Sequence, residues 1–286
     1  MTSAVRETET GAGTEAGRVG GAAGEGPVVP AVLRPWIATV DMTTASVDGV
    51  SRDPFTHVPD PVTRVVVRTE PSGRRDVLVI GPRTRASYHP SKHLDSCVQL
   101  RLRAGTARPL LGVPAVDLVG RAIPLGDLPS AHARRLAAGL LPLEPESVVP
   151  HLAEVFPDRL APSDDSRAAL LRRAVAAMSP DPDDGHPSEG VRELAHRLGV
   201  SERQLRNLFA EGVGVSPKHY ARIARVRHIL TRRSPAMSWA ELAVSTGYYD
   251  QSHMTADFRA LMGVPPTSFF TGRLPAVQPC QAFGRV

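Results

Sequence analysis

At 286 residues the chain is long enough for two domains, each with its own core. It has no run of about 18 apolar residues and no charged-then-apolar leader, so neither a membrane span nor a signal peptide is expected. Two distant cysteines, Cys97 and Cys280, exclude a disulfide framework and point to a reducing cytoplasm. Charge is uneven: residues 188–271 hold 11 Lys/Arg against 7 Asp/Glu, +4 of a total of +5, which suits a polyanionic partner.

Residues 1–30, rich in Gly, Ala, Glu and Thr without periodicity, read as disordered. Residues 31–128 favour strands. The runs 62–69 (VTRVVVRT) and 77–80 (VLVI) are β-branched, and 98–103 (VQLRLR) alternates strictly, apolar on one face and polar on the other. Turns at Pro71-Ser72-Gly73, Gly81-Pro82 and Gly105 punctuate them, as in an antiparallel sheet or small barrel. Helices are expected at 110–119, 131–141, 147–156 and 164–178, so that 129–178 forms a helical segment. Residues 179–187 (SPDPDDGHP) break any helix and read as an interdomain linker. Residues 273–286 read as a disordered tail.

Between linker and tail, residues 188–272 repeat themselves at a period of 48 or 49 residues. Ala195 and Gly199 recur as Ala243 and Gly247. Ser201, Leu205 and Phe209 recur as Asp250, Met254 and Phe258. Gly214, Val215, Pro217 and Tyr220 recur as Gly263, Val264, Pro266 and Phe269. Each copy reads as helix, tight turn, helix. The glycine ends the first helix, the small alanine lets the second approach, and Ser201 or Asp250 caps that second helix. Ser201 with Gln204, and Ser238 with Glu241, have capping-box spacing; Val200 with Leu205, and Tyr249 with Met254, have staple spacing. Leu205, Leu208 and Phe209, and in the second copy Met254, Phe258, Leu261 and Met262, then face inward. Between the copies, residues 217–231 carry an apolar face of Tyr220, Ile223, Ala224, Arg227 and Leu230. A helix there that set the two second helices about 34 Å apart would place both in successive major grooves.

The outward residues match the chemistry of base edges. Arginine pairs with the O6/N7 edge of guanine, and asparagine or glutamine with the N6/N7 edge of adenine. Arg203, Arg206 and Asn207 are therefore the candidate base readers of the first copy. Gln251, Ser252 and Thr255 are those of the second, and Arg222, Arg225, Arg232 and Arg233 are candidates for backbone phosphate.

The stretches 191–226 (VRELAHRLGVSERQLRNLFAEGVGVSPKHYARIARV) and 239–269 (WAELAVSTGYYDQSHMTADFRALMGVPPTSF) resemble the AraC/XylS family of bacterial transcription factors. The resemblance implies a seven-helix DNA-binding domain joined to a sensory or dimerisation domain. It places Arg203, Arg206 and Asn207, and Gln251, Ser252, Thr255 and Ala256, toward bases. Relatives often carry arginine where this chain has Ala256, so the first copy is expected to discriminate sequence more than the second. Residues 77–90 and 98–128 resemble a β-rich N-terminal domain of some family members. The implied partners are double-stranded DNA, a small-molecule effector or second copy of the chain at the N-terminal domain, and RNA polymerase for an activator.

The expected fold class is α+β: a β-rich N-terminal domain followed by helices, and an all-α C-terminal domain with two helix-turn-helix units joined by a linker helix. No nucleophile motif, phosphate loop or dinucleotide fingerprint occurs, so neither enzyme activity nor a cofactor is expected. Two other readings stay open. A cupin-like metal-dependent enzyme domain tethered to the DNA-binding module requires clustered ligands. His89, His93 and Cys97 have helical spacing, but Pro90 interrupts them. A nucleoid-associated binder without sequence preference would leave the exposed readers unexplained. Arg83 and Arg85 flank a turn, where arginines are usually solvated; an anionic ligand is the other reading. His253, in the first turn of its helix, is expected neutral, and packed or phosphate-facing.

Overall fold

The computed structural model describes residues 27–44, 54–90, 94–159, 166–179 and 190–278. The N-terminal stretch up to residue 26, the linker at 180–187, His93 and the end of the tail with Cys280 lie outside the described residues.

The strands are β1 (Ile37–Thr44), β2 (Phe55–His57), β3 (Arg64–Thr69), β4 (Arg75–Ile80), β5 (Ser87–His89), β6 (Ser96–Leu102) and β7 (Ala122–Pro124). β1, β6, β3, β4 and β7 form one sheet in that order, antiparallel throughout, and β2 pairs with β5. The alternation of β6 does what its period requires: Val98, Leu100 and Leu102 enter the core, while Gln99 and Arg101 are only half-buried.

The helices are α1 (Ala107–Leu111), α2 (Ala131–Leu140), α3 (Pro145–Arg159), α4 (Ser166–Met178), α5 (Val191–Arg197), α6 (Glu202–Gly212), α7 (Pro217–Arg232), α8 (Trp239–Ser245), α9 (Gln251–Met262) and α10 (Pro266–Phe270). The chain is thus a β-rich N-terminal part followed by helices, ending in two helix-turn-helix units joined by α7. The helix expected at 110–119 is split. Gly112 takes a left-handed φ of 78° and closes α1 onto Arg108, and only a short 3-10 turn at Ala115–Leu118 follows Pro114.

Three apolar cores organise the packing. The first joins one face of the sheet to α1, α2 and α3. The second gathers α4 with α5, α6 and the start of α7: Leu171, Ala174 and Met178 pack with Leu194, Leu205, Phe209 and Tyr220. The third joins the end of α7 to α8, α9 and α10. α4 thus shares its core with α5 to α7 and not with α2 and α3.

The tail also departs from expectation. Leu274 packs against the third core, and Gln278 N–H donates to Tyr88 O at 2.8 Å, so the tail's first residues lie along β5.

A carboxylate ties the sheet to α7. Asp60 is 1% exposed. It accepts from Arg64 of β3, from Arg101 of β6 at 2.8 Å, and pairs with Arg227 of α7 at 3.7 Å. Burial, then Arg101, Arg83 and Arg227, lowers the pKa of Arg64 to about 9; burial also lowers those of Arg101 and Arg227. Arg227, expected on the apolar face of α7, owes its half-buried position to this pair.

Candidate nucleic-acid interface

Both helix-turn-helix units are built as their residues dictate. Gly199 and Gly247 take φ of +68° and +79°, the left-handed turn that a side chain would strain. Ser201 Oγ accepts from Gln204 N–H at 3.2 Å while Gln204 returns an oxygen to Ser201 N–H at 2.8 Å. Ser238 and Glu241 repeat that box at 3.2 and 2.8 Å, and the two hydrogen bonds from Ser238 hold the Glu241 carboxyl below its usual range. Asp250 caps α9 through His253 N–H at 2.7 Å. Such caps satisfy amides that the helix itself leaves open, each worth about 1 kcal/mol.

The inner faces close on Leu205, Leu208 and Phe209 in α6, and on Met254, Phe258, Leu261 and Met262 in α9, all buried. Arg203, Arg206 and Asn207 are left exposed together on α6. Arg206 meets Glu202 at 2.5 Å, an exposed pair worth little that DNA can displace. On α9, Gln251, Ser252 and Ala256 are exposed and Thr255 is half-buried. These three candidate readers line an open cleft of about 960 Å³ with Arg259 and, from the sheet unit, Arg85.

One staple fails. Val200 packs with the core of Leu205, but Tyr249 is 92% exposed and Tyr248 is buried in its place. The extra residue in the second turn moves the inward position back by one. The Tyr248 ring receives the Arg225 guanidinium at 4.9 Å and the edge of the His253 ring at 5.3 Å. His253 is otherwise exposed. Burial, then Asp257, pushes the Tyr248 hydroxyl up to about 12.

The four candidate phosphate arginines all have partners inside the C-terminal module. Asp257 of α9, 7% exposed, accepts from Arg222 Nε at 2.9 Å and from Arg225 at 3.5 Å. Arg232 donates to Ser245 O, the end of α8, at 3.4 Å. Arg233 donates to Met237 O at 2.7 Å and lies over Trp239 at 4.4 Å. Sequence reasoning did not single out Asp257, although its place between Met254 and Leu261 on the inward stripe was a signal.

Two histidines of α7 couple this module to pH. Burial, then Arg222, lowers the pKa of His219; burial, then Arg232, lowers that of His228. Neither ring nitrogen of His228 has a hydrogen-bond partner among the described residues. The folded chain therefore disfavours the charged forms, while the unfolded chain takes up protons near the ordinary 6.5. The resulting stability is present above that value and is lost as pH falls through it. The thermal midpoint should drop on acidification from about pH 7 to about pH 5, and His228→Leu should flatten that drop. An identical slope in the variant would remove His228 as a cause.

Two short helices set at a glycine turn, repeated on one connecting helix, define a tandem helix-turn-helix module. Residues 194–272 match the family model described as a helix-turn-helix domain. A 90-residue stretch is 36% identical to the HTH-type transcriptional regulator GbdR of Pseudomonas aeruginosa, covering 30% of this chain and 24% of that protein. The chain thus spans about a quarter of that curated relative's length. Among solved structures, the C-terminal domain of AraT, a response regulator from Geobacillus stearothermophilus, is 21% identical over 40% of this chain and 93% of its own, with a TM-score of 0.33. ToxT from Vibrio cholerae is 9% identical over 84% of this chain and 98% of its own, with a TM-score of 0.37. Among the described residues no group of three or more His, Cys, Asp or Glu could hold a metal ion, and no helix is long and apolar enough to cross a membrane.

Proposed function

We propose that this chain is a sequence-specific DNA-binding transcriptional regulator of the cytoplasm, laying α6 and α9 into successive major grooves. The carrying observation is the face of α6. Arg203, Arg206 and Asn207 are exposed together on a helix whose opposite face, Leu205, Leu208 and Phe209, is buried. A solvated helix has no need of a guanine reader and an adenine reader side by side; a helix in the major groove does. On α9, Gln251, Ser252 and Thr255 offer an amide and two hydroxyls, so α6 carries more of the discrimination.

The DNA-binding module begins at α4 in this reading, because α4 shares the core of α5 to α7. Arg222, Arg225, Arg232 and Arg233 order the helices first and meet phosphate from their outer atoms second. The sheet unit is read as the part that senses an effector or joins a second copy of the chain.

Footprinting on the chain's own upstream DNA, followed by affinity measurements, tests the proposal. Arg203→Ala and Asn207→Ala should each cost about 1–3 kcal/mol and relax preference at one base pair. Variants that bind that DNA with wild-type affinity would remove the readers and the proposal with them.

A further inference from the structure

Arg85 lies on the segment between β4 and β5 and is exposed. It lines the open cleft beside α9, together with Gln251, Ser252, Thr255, Ala256 and Arg259. Its placement is fixed from below. Ala86 N–H donates to Leu261 O at 2.8 Å, and the Tyr88 hydroxyl donates to Met262 O at 2.6 Å. Both acceptors are carbonyls at the C-terminal end of α9, which an isolated helix would leave unpaired. Because Tyr88 also sits in the core of α9 and α10, the segment bearing Arg85 and the second helix-turn-helix unit are packed as one body. Arg85 is also near enough to α7 to help keep His219 uncharged.

The cleft has the chemistry of an extended anion site. Two guanidinium groups, an amide and two hydroxyls line it, and neither Asp nor Glu does so among the described residues. Its volume of about 960 Å³ is open to solvent rather than enclosed by apolar walls, which suits a chain passing through it better than a small apolar ligand. Ala256 adds no long side chain to the lining, so a DNA strand can come close to α9.

We propose that the Arg85 side of this cleft takes the sugar-phosphate backbone that flanks the groove α9 enters, with Arg85 donating to a phosphate while Gln251, Ser252 and Thr255 on the α9 side face the bases. The inference rests on the reading of α9 as a recognition helix. It makes the N-terminal unit a direct contributor to DNA affinity. Phosphate contacts carry no sequence information, so the contribution is to affinity and register, not base choice.

The test uses the full chain, its specific duplex and a random duplex, titrated across salt concentration. Arg85→Ala should weaken both complexes alike, about fivefold at physiological salt, and make the slope of log K against log salt shallower by about 0.9. Arg85→Lys should restore the slope. Since Arg85 is exposed, the variants should melt with the wild type. An unchanged affinity and slope in Arg85→Ala would overturn the inference. Tighter binding would also overturn it, since the segment would then be shielding α9. Arg203→Ala and Asn207→Ala, run alongside, separate the two failures. If they lose binding while Arg85→Ala does not, only the Arg85 contact is wrong. If none of the three matters, the recognition reading is wrong.

Discussion

Asp60→Ala should cost about 3–5 kcal/mol of stability, the usual result of removing one partner from a buried ion cluster. Three arginines share this carboxylate: Arg64 and Arg101 from the sheet and Arg227 from α7. With Asp60 gone, their guanidinium groups keep the burial cost and lose the charge in contact with them. Arg64 shows the strain already present, since burial and the neighbouring Arg101, Arg83 and Arg227 lower its pKa to about 9 with Asp60 in place. Asp60 Oδ1 also accepts from Val62 N–H at 3.2 Å, which Asp60→Asn can keep, so that variant should lose less. Arg227→Ala removes only the arm from α7 and should lose least, because both sheet arginines retain their acceptor. Denaturant titration with a shared slope ranks the three variants. Equal stability of Asp60→Ala and wild type would mean that the cluster is solvated and ties nothing together.

What could be read from the sequence follows the range of the interactions. The two helix-turn-helix units were legible because caps, glycine turns and inward stripes are set by residues within four or five positions. Ser201, Gly199 and Leu205 do in three dimensions what their spacing implies. The strict alternation of β6 was legible for the same reason. The Asp60–Arg227 pair was not, since no local pattern links a loop acid to a helix arginine across most of the chain. The proline-rich run after α4 is a different case. Prolines and aspartates at 179–187 report that a helix cannot continue, and say nothing of which core Leu171, Ala174 and Met178 join. Tyr249 was placed inward by matching the first copy, and the added residue in the second turn gave that position to Tyr248. Arg85 shows the limit most plainly: it is solvated as an arginine at a turn should be, and only the packing of Ala86 and Tyr88 on the end of α9 sets it beside that helix.

The last test concerns the joint between α7 and α9. Asp257→Ala should lower stability by about 1–3 kcal/mol, less than Asp60→Ala because Asp257 is less buried than Asp60 and holds two arginines instead of three. Its larger effect should be on recognition. The Asp257 carboxylate joins α9 to both arginines of α7, while Arg225 lies over Tyr248 of the preceding turn. Without it, α9 keeps its apolar anchors Met254, Phe258 and Leu261 but loses the polar contact that fixes its rotation over α7. Discrimination should therefore fall at the half-site proposed for Gln251, Ser252 and Thr255 and persist at the half-site proposed for Arg203 and Asn207. Binding to random DNA gives an independent readout. Arg222 and Arg225, released from the carboxylate, can turn their whole guanidinium groups and not only their outer atoms to phosphate, so the random-duplex affinity should rise and its salt dependence steepen. Asp257→Asn keeps an acceptor for Arg222 and should fall between wild type and alanine in both measurements. If Asp257→Ala leaves the second half-site's discrimination and the salt slope unchanged, the carboxylate neither orients α9 nor limits what these arginines offer to DNA.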